Sequence, residues 1–131
     1  MKKVLFAVLV LAAFVLAACG GSAAPATPAP VPAEYAGMTS PLGPDAAAAG
    51  AEIYKVNCES CHGPKGYGDG PAGAALDPTP KNLTELTPLV GDDFLYWRVN
   101  TGKEGTSMVA WKGVLTDEQI WQVVAYVRTL K

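Results

Sequence analysis

The segment Cys58-Glu59-Ser60-Cys61-His62 holds two of the chain's three cysteines and its only histidine. It runs directly into Gly63-Pro64-Lys65-Gly66-Tyr67-Gly68-Asp69-Gly70-Pro71, a stretch with four glycines and two prolines. Irregular stretches of this kind between helical segments are unusual in a small domain unless the chain wraps around something. The domain that carries the motif is short. Residues 45–131 number 87, and a chain of that size makes a marginal core and often recruits a staple, a metal or a cofactor.

Three helices can be read in those 87 residues. The first starts near Asp45, whose side chain is expected to cap it, and runs through AAAAGAEIYKVNCESC. The second covers residues 92–100, DDFLYWRVN, with its acids in the first turn where the helix dipole favours them. The third is the best defined: Thr116 and Gln119 have the spacing of a capping box, and Ile120, Val123, Val124 and Val127 follow at i, i+3, i+4 and i+7. Alternating strand patterns are absent, so the fold class is all-α.

Cys58-x-x-Cys61-His62 has the spacing used to attach a c-type haem, with two thiols for the two vinyl groups and the adjacent imidazole for the iron. Other uses of the motif fit less well. A thioredoxin-like thiol pair belongs in a βαβ unit, and no strands are legible. A structural zinc takes four ligands, whereas this motif supplies three, with Cys19 remote. The glycines could suggest a phosphate cradle, but no strand precedes them and no Gly-Lys-Ser/Thr closes them. They suit a backbone that passes close to a flat cofactor or takes positive φ. Haem is the reading the residues favour.

The N-terminus says where such a domain would work. Residues 4–18 are an unbroken apolar run of 15 behind Met1-Lys2-Lys3. That is short of the ~20 residues a membrane span needs, and a basic start with small residues at the end reads as a secretory signal, residues 1–18, over an uncleaved anchor. Leu16-Ala17-Ala18-Cys19 is similar to a bacterial lipobox, which implies lipidation of Cys19; the alternative is an ordinary signal with a chance cysteine. One acyl chain holds only marginally, two or three hold firmly. Residues 19–44 are then the lipidated Cys and a Pro/Ala-rich linker, since 20–44 carry six prolines and a single charge, Glu34. Its 25 residues would reach at most ~75 Å as polyproline II, or ~25–30 Å as a coil. Residues 45–131 carry 8 Lys/Arg against 11 Asp/Glu, which leaves no basic footprint for nucleic acid.

CESCHGPKGYGDGP, GTSMVAW and LTDEQIWQVVAYVRTL, in that order and spacing, resemble the class I c-type cytochromes over residues 45–131. The resemblance implies a small all-α wrap around one covalently attached haem c, with the first and last helices crossing through Gly50, Tyr54, Trp121 and Tyr126. It implies metal ligation by His62 and, from the distal loop 46 residues further on, Met108. The family usually places Pro after this Met; here it is Val109, which bears on the stiffness of the loop. The same resemblance assigns Pro71 as the carbonyl that accepts from the proximal imidazole and Thr106 as a propionate partner, with Trp97 and Arg98 as further propionate candidates. DPTPKNL, residues 77–83, corresponds to the turn beneath the haem.

Filled axial positions imply a one-electron carrier and no turnover of its own, hence no catalytic residues and no small-molecule substrate. The expected partners are the membrane, through lipid on Cys19, and redox proteins as donor and acceptor. The lipoprotein form is also similar to monohaem subunits of respiratory complexes such as alternative complex III, so a fixed subunit of a respiratory or photosynthetic complex is the main alternative. A haem enzyme or gas sensor would need an open distal site. The expected location is the outer face of the cytoplasmic membrane or the periplasm. Lys65, Lys103 and Lys112 fall near the haem motifs and offer a docking face for an acidic partner.

Overall fold

A computed structural model describes residues 27–43 and 45–131. The expected signal and Cys19 lie outside the described residues. Among the described residues the α-helices are α1 Ala46–Asn57, α2 Glu59–His62, α3 Leu83–Leu86, α4 Asp92–Thr101 and α5 Asp117–Val127, with single 3-10 turns at Gly73–Ala75 and Thr87–Leu89. Among the described residues there is no strand and no helix long and apolar enough to cross a membrane. The all-α class read from the sequence is the class observed.

The first helix differs from expectation in two ways. Asp45 makes no side-chain capping bond. The helix also breaks at Cys58, whose φ of −121° leaves the helical range, so the Cys-x-x-Cys-His motif starts a new turn. Main-chain bonds still carry through the break, from the Cys58 amide to the Tyr54 carbonyl (2.8 Å) and from the His62 amide to the Cys58 carbonyl (2.9 Å). The third helix matches the reading: the Thr116 amide donates to Gln119 Oε1 (2.9 Å) and the Gln119 amide to Thr116 Oγ1 (3.2 Å), a complete capping box.

Helices α1 and α5 cross at Gly50. A Cβ there would collide with the Gln122 carbonyl and press on Tyr126, so only glycine allows this approach. One turn on, the rings of Tyr54 and Tyr126 meet at 5.1 Å. Trp121 does not join that contact; it stacks on Tyr96 of α4 at 4.3 Å and so fastens α4 to α5. Ile120, Val123 and Val124 on the inner stripe of α5 are fully buried with Tyr54. At roughly 1.5–3 kcal/mol per buried aliphatic side chain, that stripe is a main source of cohesion. Arg128, just past α5, locks the far end: its Nε donates to Asp92 Oδ1 (2.7 Å), and its two terminal nitrogens donate to the carbonyls of Thr87 and Val90 (2.6 and 2.8 Å).

Residues 27–43 correct the linker reading. Val31, Tyr35, Met38 and Leu42 pack against the core. The Tyr35 hydroxyl donates to Asn100 Oδ1 (3.0 Å), the Gly37 amide donates to Asp93 Oδ2 (2.9 Å), and the Tyr35 ring lies 6.3 Å from that of Tyr96. Composition alone points to a spacer because prolines are frequent and charges scarce. Four apolar side chains spaced along the segment nevertheless suffice to dock it once α4 offers a surface. The packed unit therefore begins well before residue 45.

Candidate haem-binding site

Tyr54 on α1 sends its hydroxyl to the Gly63 carbonyl (2.8 Å), which fixes the end of α2 against the core. Gly63 terminates α2 at a φ of 78°, and the Gly68 amide returns to the His62 carbonyl (2.8 Å). These bonds hold Cys58, Cys61 and His62 against one side of a cavity of about 480 Å³. That volume is in the range of cofactor sites. The turn 78–81 and Leu83 form the adjoining wall, Phe94, Leu95, Arg98 and Val99 of α4 another, and Val123, Val124 and Val127 of α5 the back. The distal loop contributes Thr106, Met108, Val109 and Trp111, and Thr27, Pro28 and Ala29 complete the lining.

The chemistry of the donor set is specific. Cys58 and Cys61 are free thiols, and burial, followed by the neighbouring Cys61, pushes the Cys58 thiol up to about 12. Burial thus disfavours the Cys58 thiolate, the opposite of the lowered pKa that marks a nucleophilic Cys-x-x-Cys thiol. Among the described residues, no three His, Cys, Asp or Glu side chains converge as a metal cluster. Burial lowers the pKa of His62 and keeps it neutral near pH 7, the form that ligates metals. The Lys81 backbone opposes that shift without closing a hydrogen bond to Nδ1. Nδ1 is the one buried side-chain N or O atom without a partner among the described residues. Two thiols and a neutral imidazole beside an apolar cavity fit a covalently attached haem.

The distal loop is held by turns. Gly102 ends α4 with a φ of 68°, and a Cβ there would meet the backbone of Met108, Val109 and Ala110, so the chain doubles back only because this residue is glycine. The Lys103 amide donates to the Met108 carbonyl (2.9 Å), Thr106 Oγ1 donates to the Lys103 carbonyl (2.7 Å), and the Met108 amide donates to Thr106 Oγ1 (3.2 Å). Thr106 thus braces the loop as well as lining the cavity. The Trp111 and Lys112 amides return to the carbonyls of Val99 and Asn100 (3.1 and 3.0 Å).

Pro71 lies away from the cavity lining. It is exposed and absent from the cavity wall, while Pro78, Thr79, Pro80 and Lys81 stand there. Gly70 packs tightly against the carbonyls of Glu59 and Ser60, and the chain stays on α2 beyond it, with the Ala72 amide on the Ser60 carbonyl (2.8 Å) and Gly73 buried. The turn at 77–83 comes back in place of Pro71. Arg98 lines the cavity with its guanidinium 3.7 Å from the centre of the Trp97 ring, and makes no ion pair among the described residues. Lys103 also lines the cavity, whereas Lys65 and Lys112 are exposed on the surface. The sequence offered no signal for Thr27–Ala29 as lining residues.

The comparisons agree with this site. Residues 45–127 match the family model described as cytochrome C oxidase, cbb3-type, subunit III, and the chain belongs to that cytochrome c family. It is a class I c-type cytochrome with haem c as its cofactor, and Cys58, Cys61 and His62 are consistent with the Cys-x-x-Cys-His attachment motif. It is 36% identical over 78 residues to cytochrome c6 of Synechococcus elongatus, covering 60% of this chain and 83% of that protein. It is 37% identical over 86 residues to the cbb3-type cytochrome c oxidase subunit FixP of Bradyrhizobium sp. (strain ORS 278), covering 64% of this chain and 27% of that one. The chain therefore spans about a quarter of FixP and most of cytochrome c6. A chain of the reducing HAO-like protein complex of Kuenenia stuttgartiensis superposes with a TM-score of 0.61 at 32% identity, over 72% of this chain and 47% of that one. Electron transfer is the activity the family defines.

Proposed function

We propose that the protein is a membrane-anchored one-electron carrier whose haem is ligated by His62 and Met108. The observation that carries this reading is that Cys58, Cys61, His62 and Met108, from segments far apart in sequence, line one apolar cavity. When bound, the haem supplies an Fe(III)/Fe(II) couple. The thioether of Met108 favours the ferrous form and raises the potential, and the apolar walls add to this by disfavouring the extra charge of the ferric form. His62, held by the bonds around α2, is the fixed ligand. Arg98, which makes no ion pair among the described residues, and Thr106 are the proposed propionate partners. Held by both His62 and Met108, the iron would have no place for a substrate, so no turnover of its own is expected.

Met108→Ala tests the ligand. The variant is expected to lose the long-wavelength absorption band of a methionine-ligated ferric haem, to bind CO when reduced, and to fall in potential. Met38→Ala, in a methionine that packs on the core and does not line the cavity, should keep the band and bind no CO. A wild-type spectrum in Met108→Ala would overturn the assignment.

Export behind residues 1–18 and lipid on Cys19 are part of the same proposal. From Cys19 to Thr27, a residue that lines the cavity, is a span of at most about 26–29 Å when extended. The haem domain would stay close to the membrane surface and would not swing on a long linker. Cys19→Ser is expected to move the protein from the membrane to the soluble fraction without changing its spectrum. If the variant stays on membranes in high salt, lipid is not the anchor. A fixed subunit of a respiratory or photosynthetic complex is the second reading, favoured by the family description as an oxidase subunit. Co-purification with a large complex after mild solubilisation would select it over a free carrier.

A further inference from the structure

The Thr27–Gly43 segment does more than rest on the domain. Its N-terminal residues Thr27, Pro28 and Ala29 line the cavity beside residues of the distal loop and the proximal motif. Its middle is pinned at two points on α4: Tyr35 on Asn100 and Gly37 on Asp93. A tight turn presents these groups, with the Tyr35 and Ala36 amides both bonded to the Pro32 carbonyl (2.9 and 3.0 Å). Asn100 is the informative partner. It is 4% exposed and lies in the last turn of α4, and its carbonyl accepts from the Lys112 amide where the distal loop rejoins the helix. The side chain of one residue thus holds the segment while its main chain holds the loop.

We propose that residues 27–43 form a strap that is part of the haem site, with Tyr35 as a positioning residue for the distal loop. Thr27–Ala29 cover one edge of the cavity, and the Tyr35 hydroxyl fixes Asn100 so that the end of α4 and the return of the loop at Trp111 and Lys112 keep one geometry. The strap also limits solvent at the cavity edge, which stabilises the less charged ferrous form. The consequence for electron transfer rests on the reading of Met108 as the distal ligand; the mechanical link from strap to loop does not.

The test uses the full-length holoprotein. Tyr35→Phe keeps the ring against Tyr96 and removes only the hydroxyl. One hydrogen bond of ordinary strength corresponds to about a fivefold change in a local opening equilibrium. Amide exchange at Lys103, Trp111 and Lys112 should therefore speed up about fivefold, with Val124 in α5 unchanged. Replacing residues 27–43 with a Gly/Ser segment of equal length should accelerate the same amides more and lower the reduction potential. Unchanged exchange at the three loop amides in Tyr35→Phe overturns the proposal, and so does equal acceleration throughout, which would mean general destabilisation. If the Gly/Ser variant fails to accumulate as holoprotein, Tyr35→Phe alone decides. Met108→Ala, measured for CO binding alongside, separates the two readings: no CO binding there refutes the ligand assignment and leaves the exchange result to judge the strap.

Discussion

The two sides of the haem cavity are built differently. The proximal side is a helical turn whose donors and acceptors are spent locally: Cys58 to Tyr54, His62 to Cys58, Gly63 to Glu59, and Tyr54 closing over Gly63. On the distal side, the segment that carries Met108 is not helical. Met108 sits in a loop with exposed neighbours, Ser107 and Val109, held by a few turn bonds and by its return to α4. Covalent attachment adds to the difference, since both thioethers belong to the proximal segment. A haem protein with one stiff and one yielding side should open at the yielding one, so ligand loss is expected on the Met108 side while the haem stays attached.

The largest effect should come from breaking the stiff side. Cys58→Ala or Cys61→Ala should lose one thioether and most holoprotein. Because the cavity runs through the centre of a small core, the apo-domain should be largely unfolded. A well-folded haem-free domain by circular dichroism would contradict this.

Gly102→Ala attacks the yielding side. The left-handed φ and the crowding by the Met108–Ala110 backbone together should cost at least about 1–3 kcal/mol. Haem should remain covalently bound on a denaturing gel while the methionine-ligation band weakens or disappears. An intact band with unchanged stability would mean that the distal loop is stiffer than its bonding suggests.

Tyr54→Phe should have a smaller effect and the opposite pattern. It removes one of two bonds to the buried Gly63 carbonyl, which keeps the Gly66 amide (3.1 Å), at about 0.5–1.5 kcal/mol. For a domain of this size, each kcal/mol lowers Tm by roughly 4–8 °C. The distal band should persist up to the melting transition; its early loss would show that the two sides are coupled.

The smallest expected change is Thr106→Val, which removes the hydroxyl that bonds Lys103 and receives the Met108 amide. About 0.5–1.5 kcal/mol of local stability should go, seen as loss of the methionine band at lower denaturant with the global transition little moved. A shift in potential larger than the shift in stability would point instead to a propionate bond from Thr106.

What was legible in the sequence follows the same division. The motif Cys58–His62, the capping box at Thr116 and Gln119, and the apolar stripe of α5 obey rules that act within a few residues, so one chain sufficed to read them. Even there, the break at Cys58 and the idle Asp45 cap were out of reach, because small local preferences yield to packing. Trp121 was legible as a core aromatic, but its stacking on Tyr96 depended on where α4 came to lie.

The rest was decided by distance in sequence. Tyr35 finds Asn100 across 65 residues and Gly37 finds Asp93 across 56, and neither pairing leaves a periodic trace. The sequence reading assigns Pro71 as the neighbour of His62, and only the path of the backbone puts Pro80 in the cavity wall. The sequence alone determined the cofactor and the fold class, because thioether spacing and helix periodicity are local geometry. The tertiary structure decided the walls of the site and turned a proline-rich leader into one of them, because docking depends on surfaces that exist only once the helices have packed.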